Sequence, residues 1–314
     1  MRGLARAALA VGAAGAGALA WSLVEAEAYT LRRYTVPVLP PGARARTILH
    51  LSDLHLLPRQ QRRVDWVASL AAERPDAVIT TGDNLASPRA LPTVLSALLP
   101  FLHLPGAFVT GSNDFVAPEW KNPLRYLSGP SQKHRAPSEP NLPGDELVGA
   151  LTAAGWQHLD NARGRLDLGG VHLDLVGTGD AHIDADHYPA PADPPAGGAP
   201  SVRIGVTHAP YARVLRAMAD DGARLVLAGH THGGQVCVPG LGALVTNCDL
   251  DRRRASGLHP WPGRPGRPGA GAAGPGDLWL HVSAGLGTSP FTPVRLACRP
   301  EATLLTLVPE TAAG

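Results

Sequence analysis

The stretch TILHLSDLH (residues 47–55) joins a short apolar run to two polar residues, Asp53 and His55. The run over 47–52 predicts a buried β-strand, which places both polar residues at its carboxyl end. A carboxylate and an imidazole on one turn can both reach a single metal ion. Taken alone this motif is weak evidence, because short motifs recur by chance and Asp53 could instead cap a helix.

Four further clusters of possible metal ligands also follow predicted strands. They are Gly82-Asp83-Asn84 after 77–81, Gly111-Ser112-Asn113-Asp114 after 107–110, Thr207-His208 after 202–207, and Gly229-His230-Thr231-His232 after 225–228. Later strands are predicted at 278–283 and 303–308, and helices at about 64–71, 91–99 and 209–219. This alternation predicts an α/β layered fold. Because ligands bind at the carboxyl ends of strands in such sheets, we expect the five clusters to form one site.

The chemistry of these clusters indicates metals rather than a purely organic site. They supply carboxylates, imidazoles and an amide, which suit divalent first-row metals. Asp83 can bridge two cations with its two oxygens, and His230 and His232 can face different ions where the backbone turns. Two such ions about 3.5–4 Å apart can clamp and hydrolyse a phosphate ester. The sequence therefore predicts a two-metal phosphoesterase.

The composition argues against other classes of protein. Lys and Arg number 28 and Asp and Glu number 26, so the formal net charge is +2 and we expect no specific nucleic-acid partner. Three cysteines, Cys237, Cys248 and Cys298, form no CxxC pair, so neither a disulfide framework nor a zinc knuckle is expected. With 314 residues, the chain is long enough for one large domain or two small ones.

An uncharged stretch from Ala7 to Val24 lies near the N-terminus. Its length is at the lower limit for crossing a bilayer, about 17 residues, so we expect residues 1–28 to form a membrane anchor. A cleaved secretory signal and an Ala-rich helix are the alternatives. Arg2 and Arg6 favour a cytoplasmic N-terminus and hence a catalytic domain outside the cytoplasm. Basic residues on the other flank favour the cytoplasmic face, and secretion is a further alternative.

The rest of the chain divides into a linker and a domain. Residues 29–46 are expected to be a linker, since its prolines prevent a helix. The domain is expected over 47–308. Irregular insertions are predicted within it at 128–145, 184–200 and 257–276.

The order of the motifs resembles the calcineurin-like metallophosphoesterases over about residues 47–308. Two runs, GHTHGGQVCVPG (229–240) and SAGLGTSPFTPVRLACRPEATLLTL (283–307), are similar to a membrane-associated bacterial branch. That branch contains phosphodiesterases and UDP-diacylglucosamine pyrophosphatase-like enzymes. The resemblance implies a four-layer sandwich of two mixed β-sheets flanked by helices. It also implies two divalent ions, which are manganese, iron or zinc.

The resemblance also implies a role for each motif residue. The first metal would be held by Asp53, His55, Asp83 and His232, and the second by Asp83, His208, His230 and an asparagine. The family's Gly-Asn-His-Asp motif is replaced by Gly111-Ser112-Asn113-Asp114, which aligns Ser112 with the ligand and Asn113 with the histidine. We favour Asn113 as the ligand because an amide oxygen is the better donor, with Ser112 as the alternative.

The missing motif histidine leaves the proton donor open. His182 is the candidate, although a loop histidine without a catalytic role is the simpler interpretation. In the expected mechanism, a hydroxide that bridges both metals attacks phosphorus, with Asp83, Asn113 and His182 as catalytic residues. We expect diester or pyrophosphate substrates, which include membrane-proximal lipid- or sugar-linked ones, rather than alkyl monoesters. The oligomeric state is left open.

Two competing functions remain at this point. One is a non-catalytic, metal-containing module that binds phosphate-rich lipids or wall polymers. The other is a nucleotide phosphoesterase. Histidines outside the five clusters and the 179–182 turn, His50 and His281 among them, are interpreted as ordinary residues.

Overall fold

The computed structural model describes residues 2–120, 139–190, 200–265 and 277–310. Its helices are α1 Arg2–Glu25, α2 Gln61–Ser69, α3 Leu91–Leu98, α4 Gly144–Ala153 and α5 Ala212–Asp220. Its strands are β1 Thr30–Leu39, β2 Arg46–Leu51, β3 Ala77–Thr80, β4 Gly106–Phe108, β5 Gln157–His158, β6 Arg163–Asp167, β7 His172–Thr178, β8 Ser201–Thr207, β9 Leu225–Ala228, β10 Cys237–Val238, β11 Gly242–Ala243, β12 Gly257–Trp261, β13 Leu278–Val282 and β14 Glu301–Pro309.

Twelve of these strands form two six-stranded sheets, and both sheets are mixed. The first has the order β1-β14-β2-β3-β4-β5, in which β2 to β5 are parallel and β14 is antiparallel to β2. The second has the order β12-β13-β9-β8-β7-β6, with four parallel central strands and antiparallel edges. Strands β10 and β11 form a separate antiparallel hairpin.

Alternation of side chains along the strands separates three apolar layers. On β2, Leu49 packs with the helices α2, α3 and α4, whereas Ile48 packs against the second sheet. On β9, Leu227 joins the layer between the sheets, whereas Val226 packs with Leu215 of α5. Helix, sheet, sheet and helix are therefore stacked as four layers. The predicted sandwich of two mixed sheets flanked by helices is confirmed.

The strands predicted before the five clusters are all present, with ends that differ by one or two residues. Strands β6 and β7 were not predicted. A signal for β7 was available, because Leu173 and Leu175 are buried and alternate with the half-buried His172 and Asp174. That period of two is typical of a strand.

Residues 29–46 were expected to be a linker, and that expectation was wrong. Within this region β1 pairs in parallel with β14 at the edge of the first sheet and buries Val36, Val38 and Leu39. Pro37 excludes a helix, as expected, but an edge strand tolerates proline. The packed part of the chain therefore begins well before residue 47.

The expected membrane anchor coincides with α1. Across the part of the chain that the structure describes, no helix combines the length and the apolar character that crossing a bilayer requires. The membrane helix is therefore not confirmed, and the reason is the prevalence of Ala and Gly, which are only weakly apolar. The end of α1 is attached to the domain, because Glu25 accepts hydrogen bonds from the backbone N–H groups of Ala297 (3.1 Å) and Cys298 (2.7 Å). The cellular location stays a prediction.

Two of the expected irregular insertions contain regular structure. The first overlaps the start of α4 at Gly144, and the third begins with β12, which pairs with β13. Residues 128–138, 191–199 and 266–276 of the three insertions lie outside the described residues.

Removal of residues 1–39 is expected to destabilise the domain, because it deletes β1. Burial of Val36, Val38 and Leu39 contributes about 1.5–3 kcal/mol for each side chain. A chain that lacks only residues 1–20 is the control, since it keeps the Glu25 contacts. Thermal unfolding by circular dichroism compares both with the full chain. An unchanged Tm after removal of 1–39 would show that β1 does not belong to the folded domain.

Candidate metal centre

The loops that follow β2, β3, β8 and β9 meet at one edge of the sandwich. Two groups of donors among the described residues have ligand atoms within 4.8 Å of one another, namely Asp53, His55 and His232, and Asp53, Asp83 and His208. Backbone hydrogen bonds hold the first two loops side by side, from His55 N–H to Asp83 O (2.9 Å) and from Asp53 N–H to Gly82 O (3.0 Å). The predicted convergence of distant clusters is therefore observed.

Five predicted ligands have a left-handed backbone, with φ values from 38° to 69°. They are Asp53, His55, Asp83, His230 and His232. This conformation costs about 1–3 kcal/mol for a residue other than glycine and persists where its surroundings impose it. The sharp turns direct side chains that are two residues apart in sequence into a common pocket.

In the first donor group, His232 presents a bare imidazole nitrogen. Nδ1 of His232 lies 3.1 Å from the carbonyl oxygen of Gly287, so Nδ1 carries the hydrogen and Nε2 keeps its lone pair. That Nε2 lies 3.2 Å from Nε2 of His55 and 3.5 Å from Oδ1 of Asp53. Nε2 of His55 is also 3.5 Å from Oδ2 of Asp83. Atoms from four side chains thus surround one position that suits a cation.

The second donor group is centred on His208. Its Nδ1 donates to the carbonyl oxygen of Thr81 at 2.6 Å. Its Nε2 is buried, lies 3.5 Å from Oδ2 of Asp83, and has no hydrogen-bond partner among the described residues. Buried polar atoms normally have a partner, and a bound cation would supply one here. Oδ2 of Asp83 faces both His55 and His208, as a bridging carboxylate requires.

His230 lies at the margin of the second group. The centroid of its ring is 5.2 Å from that of His208 and 4.5 Å from that of His182. Its Nε2 is 3.3 Å from the carbonyl oxygen of Asn247, which leaves Nδ1 as the nitrogen for a ligand.

The turn that carries Ser112 and Asn113 packs directly against Asp83. Asn113 donates to Asp83 from its backbone N–H (2.9 Å) and from its side-chain amide (2.8 Å). The backbone N–H of Ser112 donates to Asp180 (3.0 Å). A Cβ on Gly111 would approach Oδ1 of Asp83 to 2.2 Å, so this close packing requires glycine. The choice between Asn113 and Ser112 as a ligand stays a prediction.

His182 lies on a short turn after β7 and reaches the second group through its contact with the His230 ring. Its Nδ1 is 3.1 Å from the hydroxyl of Tyr211, and its backbone N–H donates to Asp180 at 2.8 Å. The structure therefore brings this loop histidine to the edge of the centre.

Two residues that shape the centre were given no role of their own from the sequence. The buried carboxylate of Asp114 accepts hydrogen bonds from the backbone N–H groups of Asp83 and Asn84, at 2.9 and 2.7 Å. The buried guanidinium of Arg295 donates to the carbonyl oxygen of Gly287 at 2.7 Å, behind His232. Asp114 lies within a recognised motif, so a signal was available, whereas Arg295 had none.

Burial and charge set the protonation of the centre. Burial lowers the pKa of His55 and of His230 to about 4, so both imidazoles are neutral and can act as ligands. Burial alone would also lower the pKa of His208, but Asp83, Asp180 and Asp53 outweigh it and raise that pKa well above its usual range. The carboxylates therefore attract positive charge. A nitrogen and oxygen donor set without thiolate suits manganese, iron or zinc.

The chain is similar to a characterised sequence family. The profile of the calcineurin-like phosphoesterase family matches residues 46–234. Over 165 residues the chain is 31% identical to phosphodiesterase YaeI of Escherichia coli strain K12, and the alignment covers 52% of each protein. The chain thus spans about half the length of this curated relative. The narrower resemblance to a membrane-associated branch stays a prediction.

Two solved structures show a distant likeness. TT1561 of Thermus thermophilus has 13% identity and a TM-score of 0.40, over 77% of this chain and 91% of that one. Purple acid phosphatase PPD1 from yellow lupin seeds has 10% identity and a TM-score of 0.35, over 62% of this chain and 39% of that one. Scores this low add nothing to the assignment. The family match spans more than half of the chain and contains both donor groups. The protein therefore belongs to the calcineurin-like phosphoesterase family, whose members are hydrolases of phosphoester bonds.

Proposed function

We propose that this protein is a hydrolase that depends on two divalent metal ions and cleaves a phosphodiester or a pyrophosphate. One observation carries the proposal: Oδ2 of Asp83 lies 3.5 Å from Nε2 of His55 and 3.5 Å from Nε2 of His208. These histidines lie in different donor groups. A carboxylate oxygen that faces one histidine of each group is what a two-metal phosphoesterase site needs. Family membership supports the reaction class.

Each cation would have its own set of ligands. The first would be held by Asp53, His55, Asp83 and His232, and the second by Asp83, His208, His230 and Asn113. The amide of Asn113 already touches Asp83, and a half-turn about its Cβ–Cγ bond directs the oxygen to the same place. When bound, such ions lower the pKa of water towards neutrality and offset charge on the phosphoryl oxygens.

His182 is the residue that we assign to leaving-group protonation. The hydroxyl of Tyr211 lies 3.1 Å from Nδ1 of His182, and we assign proton exchange with the substrate to Nε2. Burial raises the pKa of Tyr211 to about 12, so the phenol stays neutral and orients the imidazole without adding charge. The contact between His182 and His230 supports this role, because it keeps the proton donor beside the second metal position.

A cavity beside the centre supports a substrate with a second anionic group. It has a volume of about 590 Å³ and is lined by Leu57, Pro58, Arg59, Ser87 and Arg89. Its walls continue directly from the metal-binding loops, which are joined there by a β-bridge between Leu56 and Leu85. Leu57 is two residues from His55, which is at most about 7 Å of extended chain. Arg59 and Arg89 supply this cavity with two guanidinium groups that can pair with a phosphate.

Replacement of Asp83 by Asn tests the two-metal site. We expect the rate of hydrolysis of bis-p-nitrophenyl phosphate with added manganese to fall by more than about 100-fold, and the amount of bound metal to fall with it. Replacement of a residue that only orients a metal ligand lowers metal affinity or activity by about 10–100-fold, and loss of a direct ligand should have a larger effect. Asp65→Asn, an exposed carboxylate on α2, is the control. If Asp83→Asn retains turnover with manganese, the proposal is wrong. If the native protein binds metal without any turnover, the non-catalytic binding module is favoured.

Replacement of His182 by Gln tests the proton donor. General acid catalysis contributes about 10²–10⁴-fold, so this loss is expected in kcat for a diester with an alkoxide leaving group. A p-nitrophenolate leaving group needs little protonation, and its rate should change only a few-fold. His187→Gln, an exposed histidine on the same loop, is the control. Equal losses with both leaving groups would contradict an acid role.

The double change Arg59→Gln with Arg89→Gln tests the cavity. A charge-assisted hydrogen bond contributes about 1.5–3 kcal/mol, so KM for the pyrophosphate ADP-ribose should rise at least about tenfold. Bis-p-nitrophenyl phosphate carries no second anionic group, and its kcat/KM should stay within about twofold. Arg62→Gln, which neutralises an exposed arginine on α2, controls for net charge. A parallel loss with both substrates would show that the cavity has no selective role.

A further inference from the structure

A continuous chain of hydrogen bonds runs from the interior of the sandwich to Asp53. Ser52 Oγ donates to Oδ2 of Asp53 at 2.5 Å, and Thr81 Oγ1 donates to Ser52 at 2.7 Å. Nε2 of His50 lies 2.9 Å from Thr81 Oγ1, and Nδ1 of His50 lies 3.0 Å from Nδ1 of His281. All five residues are 0% exposed. We name this set the buried relay.

The buried relay joins the two sheets. His50 belongs to β2 of the first sheet and His281 to β13 of the second. Ile48 and Trp279, two residues before each histidine, both pack in the apolar layer between the sheets. Since side chains two residues apart share a face, the histidines meet in that layer. The buried relay thus begins in the second sheet and ends at a metal ligand of the first.

The direction of each hydrogen bond follows from the carboxylate end. An ionised Asp53 can only accept, so the hydrogen of Ser52 points to it, and the hydrogen of Thr81 points to Ser52. Thr81 then has only lone pairs for His50, so Nε2 of His50 must carry a hydrogen. His50 is left with a bare Nδ1, to which His281 must donate its Nδ1–H. Every donor in the relay therefore points towards Asp53.

Both imidazoles act as neutral dipoles. Burial lowers the pKa of His50 to about 3 and that of His281 well below its usual range. Neutral groups aligned in one direction polarise one another, which strengthens the last hydrogen bond to the carboxylate. The relay thus stabilises negative charge on Asp53 without placing a positive charge in the core.

The buried relay lowers the stability of the core, because it leaves one polar atom there without a partner. Nε2 of His281 is buried without a hydrogen-bond partner among the described residues. A buried polar atom without a partner costs about 1–3 kcal/mol, and two apolar side chains of similar shape would avoid this cost. The benefit therefore lies at the other end of the relay, on Asp53.

We propose that Thr81, His50 and His281 are positioning residues for the metal centre. Acting through Ser52, they hold Oδ2 of Asp53 and keep Oδ1 turned towards Nε2 of His232, from which it is 3.5 Å. The inference rests on the proposed function, because it assigns these residues to the first cation site. Outer partners that orient metal ligands typically change metal affinity or activity by 10–100-fold.

The test compares two neighbouring threonines of the full-length protein. Thr81→Val removes the hydroxyl in the middle of the relay, whereas Thr80→Val removes a buried hydroxyl that has no hydrogen-bond partner among the described residues. We expect Thr81→Val to weaken Mn²⁺ binding, measured by calorimetry, by about 10–100-fold. Thr80→Val and the conservative Thr81→Ser should bind as the native protein does. Thermal unfolding of the metal-free variants verifies that they fold.

A second arm tests action at a distance. His281→Phe removes the far end of the relay and is expected to weaken Mn²⁺ binding in the same direction. His259→Phe is its control, since His259 is equally buried in the second sheet but bonds to Ser256 O. The double variant of Thr81→Val and His281→Phe should bind Mn²⁺ about as tightly as the single variant that has the lower affinity. Additive losses would assign the two residues to separate structural roles and overturn the relay.

The arms separate this inference from the proposed function. A native protein that binds no Mn²⁺ would refute the two-metal site and the relay's role together. A native protein that binds Mn²⁺ while Thr81→Val binds it equally well would overturn the relay alone.

Discussion

Two carboxylates, Asp53 and Asp83, are buried in one donor group, and their charges have to be balanced. An isolated charge buried in protein is very costly unless a partner or a metal offsets it. Two of the surrounding imidazoles are oriented by backbone carbonyl groups. The carbonyl oxygens of Thr81 and Gly287 take up Nδ1 of His208 and His232, and so direct Nε2 of each ring towards the carboxylates.

The rest of the architecture maintains this arrangement. Parallel strands end at one edge, and left-handed residues turn the loops after β2, β3 and β9 back sharply enough to place their side chains over that edge. Space is so limited that a Cβ on Gly229 would approach Ser52 Oγ to 1.9 Å and Oδ2 of Asp53 to 2.6 Å. The close approach of the loop after β9 to the loop after β2 therefore depends on a glycine. The same packing brings the end of the buried relay next to the backbone of His230, whose N–H donates to Oδ2 of Asp53 at 3.1 Å.

The relay changes the interpretation of residues outside the motifs. The sequence predicts no special role for His50 and His281, because neither follows a strand directly and each stands alone in the sequence. They are 231 positions apart in the chain, and only the packing of one sheet on the other makes them neighbours.

Residues within the motifs were easier to find. Asp83 and His208 follow apolar runs directly, so their position at the sheet edge could be predicted from local pattern alone.

The sequence by itself determined the strands that carry the ligands, the class of ligand, and the family, because short apolar runs followed by Gly, Asp and His are local signals. It did not determine β1, where exposed polar residues at an edge strand conceal the pairing with β14. The membrane helix that the sequence predicts at α1 is not confirmed, because no helix among the described residues is long and apolar enough to cross a bilayer. Tertiary structure decided which nitrogen each histidine presents, that His182 reaches His230, and that a polar path crosses the core. These properties depend on contacts between residues far apart in the chain, and no local pattern encodes them.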